Sequence, residues 1–144
     1  MMAERIFLAL SALVWLPYGV FCFFQPGYLV QAAGVSASTV TGTLELRAMY
    51  GGLQAGIGAL ALVGSIRARF ARPALVALAF LCGGLGTSRL MGAVATGELS
   101  SYTAMALVFE WASASIAVWL LYRAPTRGSA DAPAPRSSRQ RSGP

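Results

Sequence analysis

The stretch IFLALSALVWLPYGVFCFF, residues 6–24, decides the fold class because it is apolar over a length that crosses a bilayer. A helix of about 20 mainly apolar residues spans the hydrocarbon core of a membrane. A cleaved signal peptide is the alternative, but its apolar core is usually only about 7–15 residues long and a small-residue cleavage site follows it. No such site follows here closely. We therefore expect a retained membrane helix, kinked at Pro17.

Three further runs have the same apolar character, at residues 44–66, 73–94 and 102–122. The chain of 144 residues is 56% hydrophobic and only 11% charged, whereas a soluble domain is about a quarter charged. The sequence therefore predicts an all-α protein. Residues 1–122 would form one four-helix transmembrane bundle, and residues 123–144, rich in Arg, Pro and Ser, would form a disordered tail.

The arginines predict the orientation of this bundle. Arg67, Arg69 and Arg72 lie between the second and third helices, whereas the connections at 25–43 and 95–101 contain no arginine. Basic loops stay in the cytoplasm, so both termini should be cytoplasmic and the tail should follow the last helix on that side. All basic residues are Arg, a usage typical of GC-rich bacterial genomes. We therefore expect a multi-pass protein of the bacterial cytoplasmic (inner) membrane.

The long connection at 25–43 should contain a short helix lying in the membrane interface. Pro26 is placed to open this helix and Gly34 to close it, since Pro favours the first helical turn and Gly the residue after the last. Thr43 would then cap the second long helix.

The composition also limits the chemistry. The chain has no His, so a His-ligated haem and the usual His-containing zinc or iron sites are excluded. Cys22 and Cys82 lie in separate helices, at depths too different for a disulfide. We expect no metal and no cofactor, and no nucleic acid partner because the basic tail carries no binding motif. The expected partners are the lipid bilayer, a lipid or small amphiphile, and a second membrane protein or a second copy of the chain.

Four ionisable residues fall within the predicted helices, all in their outer half. Such residues are rare in membrane helices and usually pair inside the bundle, so Arg89 should lie near Glu110 or Glu45. Glu110 shares a helical face with small residues, and Arg47 shares one with Tyr50 and Gln54. The candidate ligand-binding or ion-pair cluster is Glu45, Arg47, Tyr50, Gln54, Arg89 and Glu110.

Small residues four positions apart predict where the helices approach one another closely. Gly52 and Gly56 form one such pair, and Gly84, Ser88 and Gly92 form a longer series. In membranes, small residues of this kind allow helix backbones to pack together. We expect these residues, with the neighbouring Gly51, to lie at helix contacts.

Several of these motifs occur together in one known family. ELRAMYGG at 45–52, GTSRLMG at 86–92 and the short Gly-Glu loop at 97–98 resemble a family of small bacterial four-helix integral membrane proteins, classified as a domain of unknown function. The resemblance covers roughly residues 5–122 and implies the four-helix fold, but no activity. It implies that the following are family positions: Glu45, Arg47, Gly51, Gly52, Arg89 and Glu110.

Three functions fit these observations. The first is structural: a buried Glu/Arg ion-pair cluster fixes the helix register in an accessory membrane subunit. The alternative is binding or transport of a lipid-like or small anionic ligand at that cluster, where Glu110 could also carry a proton. An enzyme is the third, but Ser88 and Ser113 have no His to activate them and both Cys are in apolar runs. We therefore expect no catalytic residue.

Overall fold

The computed structural model describes residues 2–123, and within that range the structure is helical and contains no strand. The predicted disordered tail is residues 123–144; its first residue, Arg123, is the last residue of the final helix, and residues 124–144 lie outside the described residues. The elements are α1 (Met2–Phe24), α2 (Tyr28–Ala33), α3 (Val40–Leu46), a π-helix (Arg47–Gly52), α4 (Leu53–Ile66), α5 (Ala68–Thr96) and α6 (Ser101–Arg123). Four helical segments are long and apolar enough to cross a membrane: α1, the continuous segment Val40–Ile66, α5 and α6. They indicate a multi-pass membrane protein with the predicted all-α, four-helix fold.

The short helix predicted before the second span is present as α2. It ends at Gly34, whose φ of 68° is left-handed and whose N–H bonds to the carbonyls of Leu29 and Val30. A residue with a side chain is strained in this conformation, which explains the glycine. Leu29 is fully buried, so α2 is held against the bundle.

The second span begins four residues earlier than predicted, because the cap is Thr39 and not Thr43. Thr39 has an extended backbone, and its side-chain oxygen accepts a hydrogen bond from the N–H of Gly42 at 3.0 Å. This is the usual geometry of an N-terminal cap. Thr43 lies inside the helix, where its hydroxyl bonds to the carbonyl oxygen of Thr39 at 3.1 Å.

The third span also begins earlier, at Ala68 rather than at residue 73. Arg67 has an extended backbone and is the single non-helical residue between α4 and α5. Pro73 is the sixth residue of α5 and does not stop the helix, although its missing N–H removes one backbone hydrogen bond. The turn predicted to hold Arg69 and Arg72 is therefore the beginning of α5. The other ends differ from the predicted bounds by four residues or fewer.

The bundle consists of two helix pairs. The first is α1 with α4 and the second is α5 with α6, and the pairs meet chiefly through α4 and α5. Leu8, Leu75, Leu78 and Leu120 belong to the buried core. A hydrogen bond of 3.0 Å from Arg5 to the carbonyl oxygen of Ile66 joins the start of α1 to the end of α4. The two ends of the described chain consequently lie at the same end of the bundle, opposite α2.

Glycines make the contact between α1 and the second span, but these are largely not the predicted ones. A Cβ atom placed on Gly51 would lie 2.8 Å from the Cα atom of Phe23, and one on Gly58 would lie 2.6 Å from the Cα atom of Leu16. A Cβ atom on Gly19 would lie 2.8 Å from the carbonyl oxygen of Gly51. These distances are too short for any side chain, so the close approach of the two helices requires glycine.

The other small residues of the predicted set do not lie at contacts between the described helices. A Cβ atom on Gly56, Gly84 or Gly92 would meet no atom within 4 Å, and one on Gly52 would approach only the carbonyl of Arg47. Ser88 is exposed as well. A spacing of four identifies residues on one face of a helix, but it does not say whether that face meets a neighbour. Cys22 and Cys82 are both buried and free, as expected.

Candidate functional site

Arg89 of α5 and Glu110 of α6 form an ion pair inside the bundle. The Nη2 atom of Arg89 lies 2.9 Å from Oε1 of Glu110, and Nε lies 3.1 Å from Oε2 and 3.3 Å from Oε1. Two adjacent guanidinium nitrogens thus contact one carboxylate, which is the strong bidentate arrangement. Glu110 is only 4% exposed, while the side chain of Arg89 retains 28% exposure.

Small residues bring α5 and α6 close enough for this pair to form. A Cβ atom on Gly86 would lie 3.0 Å from the indole nitrogen of Trp111, and one on Gly83 would lie 3.9 Å from Cβ of Ala114. Ser113, Ala114 and Ala117 form the buried side of α6 with Glu110. The small face that the sequence shows around Glu110 is therefore the face that meets α5.

The predicted cluster of four charges is not assembled. Glu45 is exposed, and Arg89 contacts Glu110 instead of it. Arg47 is half-buried, and its Nε atom has no hydrogen-bond partner within residues 2–123. The structure thus brings one acid and one base together and leaves the other two apart.

The π-helix explains why the predicted helical face changes here. Arg47 begins the π-helix, and the N–H of Leu53 bonds to the carbonyl oxygen of Ala48, five residues earlier. This wider turn shifts the side chains relative to the α-helical period. The sequence does not predict the π-helix, because hydrophobic periodicity gives no signal for a single wide turn. Such turns are frequent at functional sites.

The ion pair lines a cleft of about 470 Å³ between the two helix pairs. This volume lies within the range of about 300–1,000 Å³ for small-molecule sites, which are mostly apolar with a few placed polar groups. Tyr50, Gln54, Arg89 and Glu110 of the predicted site line it, whereas Glu45 and Arg47 do not. The full lining is Val14, Trp15, Tyr18, Met49, Tyr50, Leu53, Gln54, Leu81, Leu85, Arg89, Tyr102, Ala106, Phe109 and Glu110.

Two tyrosines of this lining are not among the residues predicted from the sequence. Tyr18 lies on α1 near the buried residues Trp15 and Gly19, and the run Leu8, Ala12, Trp15, Gly19 and Cys22 is buried at helical spacing. A helical projection of α1 could therefore have placed Tyr18 at the edge of the inward face. Tyr102 is the second residue of α6 and gives no comparable signal.

A second cavity, of about 410 Å³, lies beside the cleft at the end of the bundle that carries α2. We call it the end cavity. Tyr50, Arg89 and Tyr102 line both spaces, and residues 32–35 form the other side of the end cavity. The guanidinium carbon of Arg89 is 5.8 Å from the ring centre of Tyr102. Arg89 and the two tyrosines therefore stand where the two spaces adjoin.

Among the residues that the structure describes, no three His, Cys, Asp or Glu side chains are grouped so that they could hold a metal ion. The site offers one acid, one base, three phenols and one amide against apolar walls. These groups can form hydrogen bonds with a ligand, and the described site contains no activated nucleophile.

Comparison with known sequences and structures identifies the family of this chain. A family model described as a domain of unknown function, DUF4345, matches residues 3–121. No curated protein and no solved structure matches the chain. The matched range contains nearly all of α1 and α6, the whole of α2 to α5 and every residue that lines the cleft. The chain therefore belongs to the DUF4345 family of domains of unknown function.

Proposed function

We propose that this membrane protein binds a lipid-like ligand in the cleft between its two helix pairs. The observation that supports the proposal is the cleft itself, in which apolar walls surround a small set of polar groups. Trp15, Leu85 and Phe109 offer surface to a hydrocarbon chain. Tyr50, Gln54 and the ion pair offer hydrogen bonds to a head group, a division typical of ligand sites.

Arg89 is suited to contact such a ligand. Its Nε and Nη2 atoms bond to Glu110, and a guanidinium has five N–H donors. No hydrogen bond described within residues 2–123 uses Nη1 of Arg89. Ionisable residues inside membrane proteins usually mark substrate or ion pathways. Arg89 would hold its position through Glu110 and donate its remaining hydrogens to the ligand.

Filling the cleft tests this proposal. Ala106 lines the cleft on α6, whereas Ala112 on the same helix is exposed. Ala106→Phe should remove the lipid that co-purifies with the detergent-solubilised protein, because the larger side chain occupies its volume. Ala112→Phe is the matched control and should retain the lipid. Native mass spectrometry measures both, and equal lipid occupancy in the two variants would show that the cleft is not the binding site.

We propose a structural role as the second candidate. The observation that favours it is the burial of Glu110 with three hydrogen bonds from Arg89. A buried ion pair can specify one packing arrangement, even where it adds little net stability. The pair would then fix the register of α5 against α6, and the chain would serve as an accessory subunit in a membrane assembly.

We further propose that the protein lies in the bacterial cytoplasmic membrane with both termini in the cytoplasm. Four crossing segments return the chain to the side on which it starts. The basic residues Arg67, Arg69 and Arg72 belong to that end of the bundle, and basic connections are retained in the cytoplasm. This orientation would place α2 and the end cavity at the outer surface, so that a ligand reaches the cleft from the outer leaflet.

A further inference from the structure

We infer that the ligand of the cleft has an uncharged, hydroxyl-bearing head group, as in diacylglycerol or a long-chain alcohol, and not a phosphate or carboxylate. This inference rests on the proposed lipid-binding function and narrows it to a chemical class. It also differs from the expectation of an anionic ligand that two intramembrane arginines create.

The charges of the cleft wall cancel. Among the described residues that line it, Arg89 and Glu110 are the only formally charged ones, and they contact each other at 2.9 Å. An anion that bound Arg89 would share its guanidinium with the Glu110 carboxylate, and a neighbouring like charge disfavours a bound anion. The remaining polar lining groups are uncharged: Tyr18, Tyr50, Gln54 and Tyr102. A desolvated anion would thus lack a counter-charge of its own.

Arg47 does not change this balance. It is absent from the lining of both the cleft and the end cavity. Its Nε atom is buried without a hydrogen-bond partner among residues 2–123, but unlike Gln54 the residue lines neither space. An anion bound by Arg47 would therefore lie outside the cleft.

Gln54 indicates that the head group donates a hydrogen bond. Its Oε1 atom is buried and has no hydrogen-bond partner within residues 2–123, and buried polar atoms are nearly always paired. Gln54 lines the cleft, and rotation of its terminal amide would bring Oε1 to that side. A hydroxyl can donate to this oxygen and accept from a tyrosine at the same time. A carboxylate or a doubly ionised phosphate only accepts hydrogen bonds, and so leaves Oε1 unpaired.

Two photoactivatable probes with identical acyl chains and the same diazirine separate these head groups. One is a diacylglycerol and the other is the matching phosphatidic acid, each added at equal mole fraction to full-length wild-type protein in lipid nanodiscs. We expect the diacylglycerol probe to label cleft peptides about tenfold more strongly, the effect of roughly one well-formed hydrogen bond. Mass spectrometry of the digested protein locates the labelled residues.

The outcomes distinguish this inference from the proposed function. Labelling of the cleft by phosphatidic acid as strongly as by diacylglycerol overturns the uncharged head group but leaves lipid binding in the cleft intact. Labelling of the cleft by neither probe overturns both. These comparisons use the wild-type chain, so they do not depend on whether any variant folds.

A substitution tests the role of Gln54 directly. Gln54→Leu should reduce diacylglycerol labelling of the cleft about tenfold, because the leucine neither donates nor accepts a hydrogen bond. Gln31→Leu is the matched control, since Gln31 is exposed on α2 and does not line the cleft. Unchanged labelling in a folded Gln54→Leu protein would overturn the hydrogen bond to Gln54.

Discussion

At the scale of single residues, the burial of the Glu110 carboxylate depends on its ion pair with Arg89. Glu110 is the only charged residue in the buried set of residues 2–123, and Arg89 donates hydrogen bonds to both of its oxygens. Residue spacing predicts the small-residue face around Glu110. Spacing alone does not choose between Glu110 and Glu45 as the partner of Arg89, because that choice depends on how α5 is rotated against α6.

Removing Arg89 should destabilise the fold strongly. Arg89→Leu leaves the Glu110 carboxylate buried and unpaired, at a cost of about 3–5 kcal/mol in the free energy of unfolding. Arg89→Lys should lower the free energy of unfolding by a smaller amount. A lysine keeps the positive charge, but it cannot contact both carboxylate oxygens with a planar guanidinium. Thermal unfolding of the purified protein in detergent measures both effects.

The control is Arg72→Leu, which alters an exposed arginine on the same helix and should leave the unfolding temperature nearly unchanged. The exchange Arg89→Glu with Glu110→Arg then separates the two proposed functions. If the pair is purely structural, the doubly exchanged protein should regain both the stability and the function of the wild type. If the pair belongs to a ligand site, the exchanged protein should regain stability but not the bound lipid. Equal stability of Arg89→Leu and the wild type would mean that the ion pair does not hold the bundle together.

At the scale of secondary structure, the spans were predictable and their contacts were not. The four apolar runs of the sequence correspond to the four segments long enough to span a membrane, and Gly34 correctly predicted the end of α2. The π-helix from Arg47 to Gly52 has no signal in the hydrophobic periodicity, and within it Gly51 packs closely on Phe23. This contact is between residues far apart in the sequence, so the hydrophobic pattern of one segment does not predict it.

Two neighbouring glycines in α4 should respond in opposite ways to the same substitution. Gly58→Leu forces a side chain into the backbone of α1 near Leu16, and overpacking of this kind costs at least about 1–3 kcal/mol. Gly56→Leu adds a side chain where no atom lies within 4 Å. It should be neutral or raise stability by about 1 kcal/mol, since leucine favours helix over glycine.

Thermal unfolding monitored by tryptophan fluorescence compares the two variants. Gly58→Leu should unfold at a clearly lower temperature than both the wild type and Gly56→Leu. If Gly56→Leu is instead the less stable variant, the exposed face of α4 must contact another helix in the folded protein, and Gly58 does not lie at the contact between α1 and α4.

At the scale of the whole molecule, the cleft arises because the two helix pairs meet closely along only part of their facing surfaces. The first pair touches the second through α4 and α5, while α1 and α6 approach each other where the Trp15 and Phe109 rings lie 5.9 Å apart. The space left between them is lined by α1, the second span, α5 and α6 together. No single helix of the sequence carries the information for such a space. A helical projection of α1 can place Tyr18 at the edge of the inward face, but it cannot show that this edge meets Tyr102 of α6 across a cleft.

The same arrangement predicts how the protein is oriented. Because the described ends and the basic start of α5 share one end of the bundle, the positive-inside rule assigns that end to the cytoplasm. Ser36, beyond α2, and Ala68, at the start of α5, are both exposed and lie at opposite ends. In intact bacterial cells, a membrane-impermeant maleimide should label Ser36→Cys and not Ala68→Cys. Wild-type protein is the unlabelled control, since Cys22 and Cys82 are buried. Labelling of Ala68→Cys alone would show that the orientation is the reverse, with the end cavity on the cytoplasmic side.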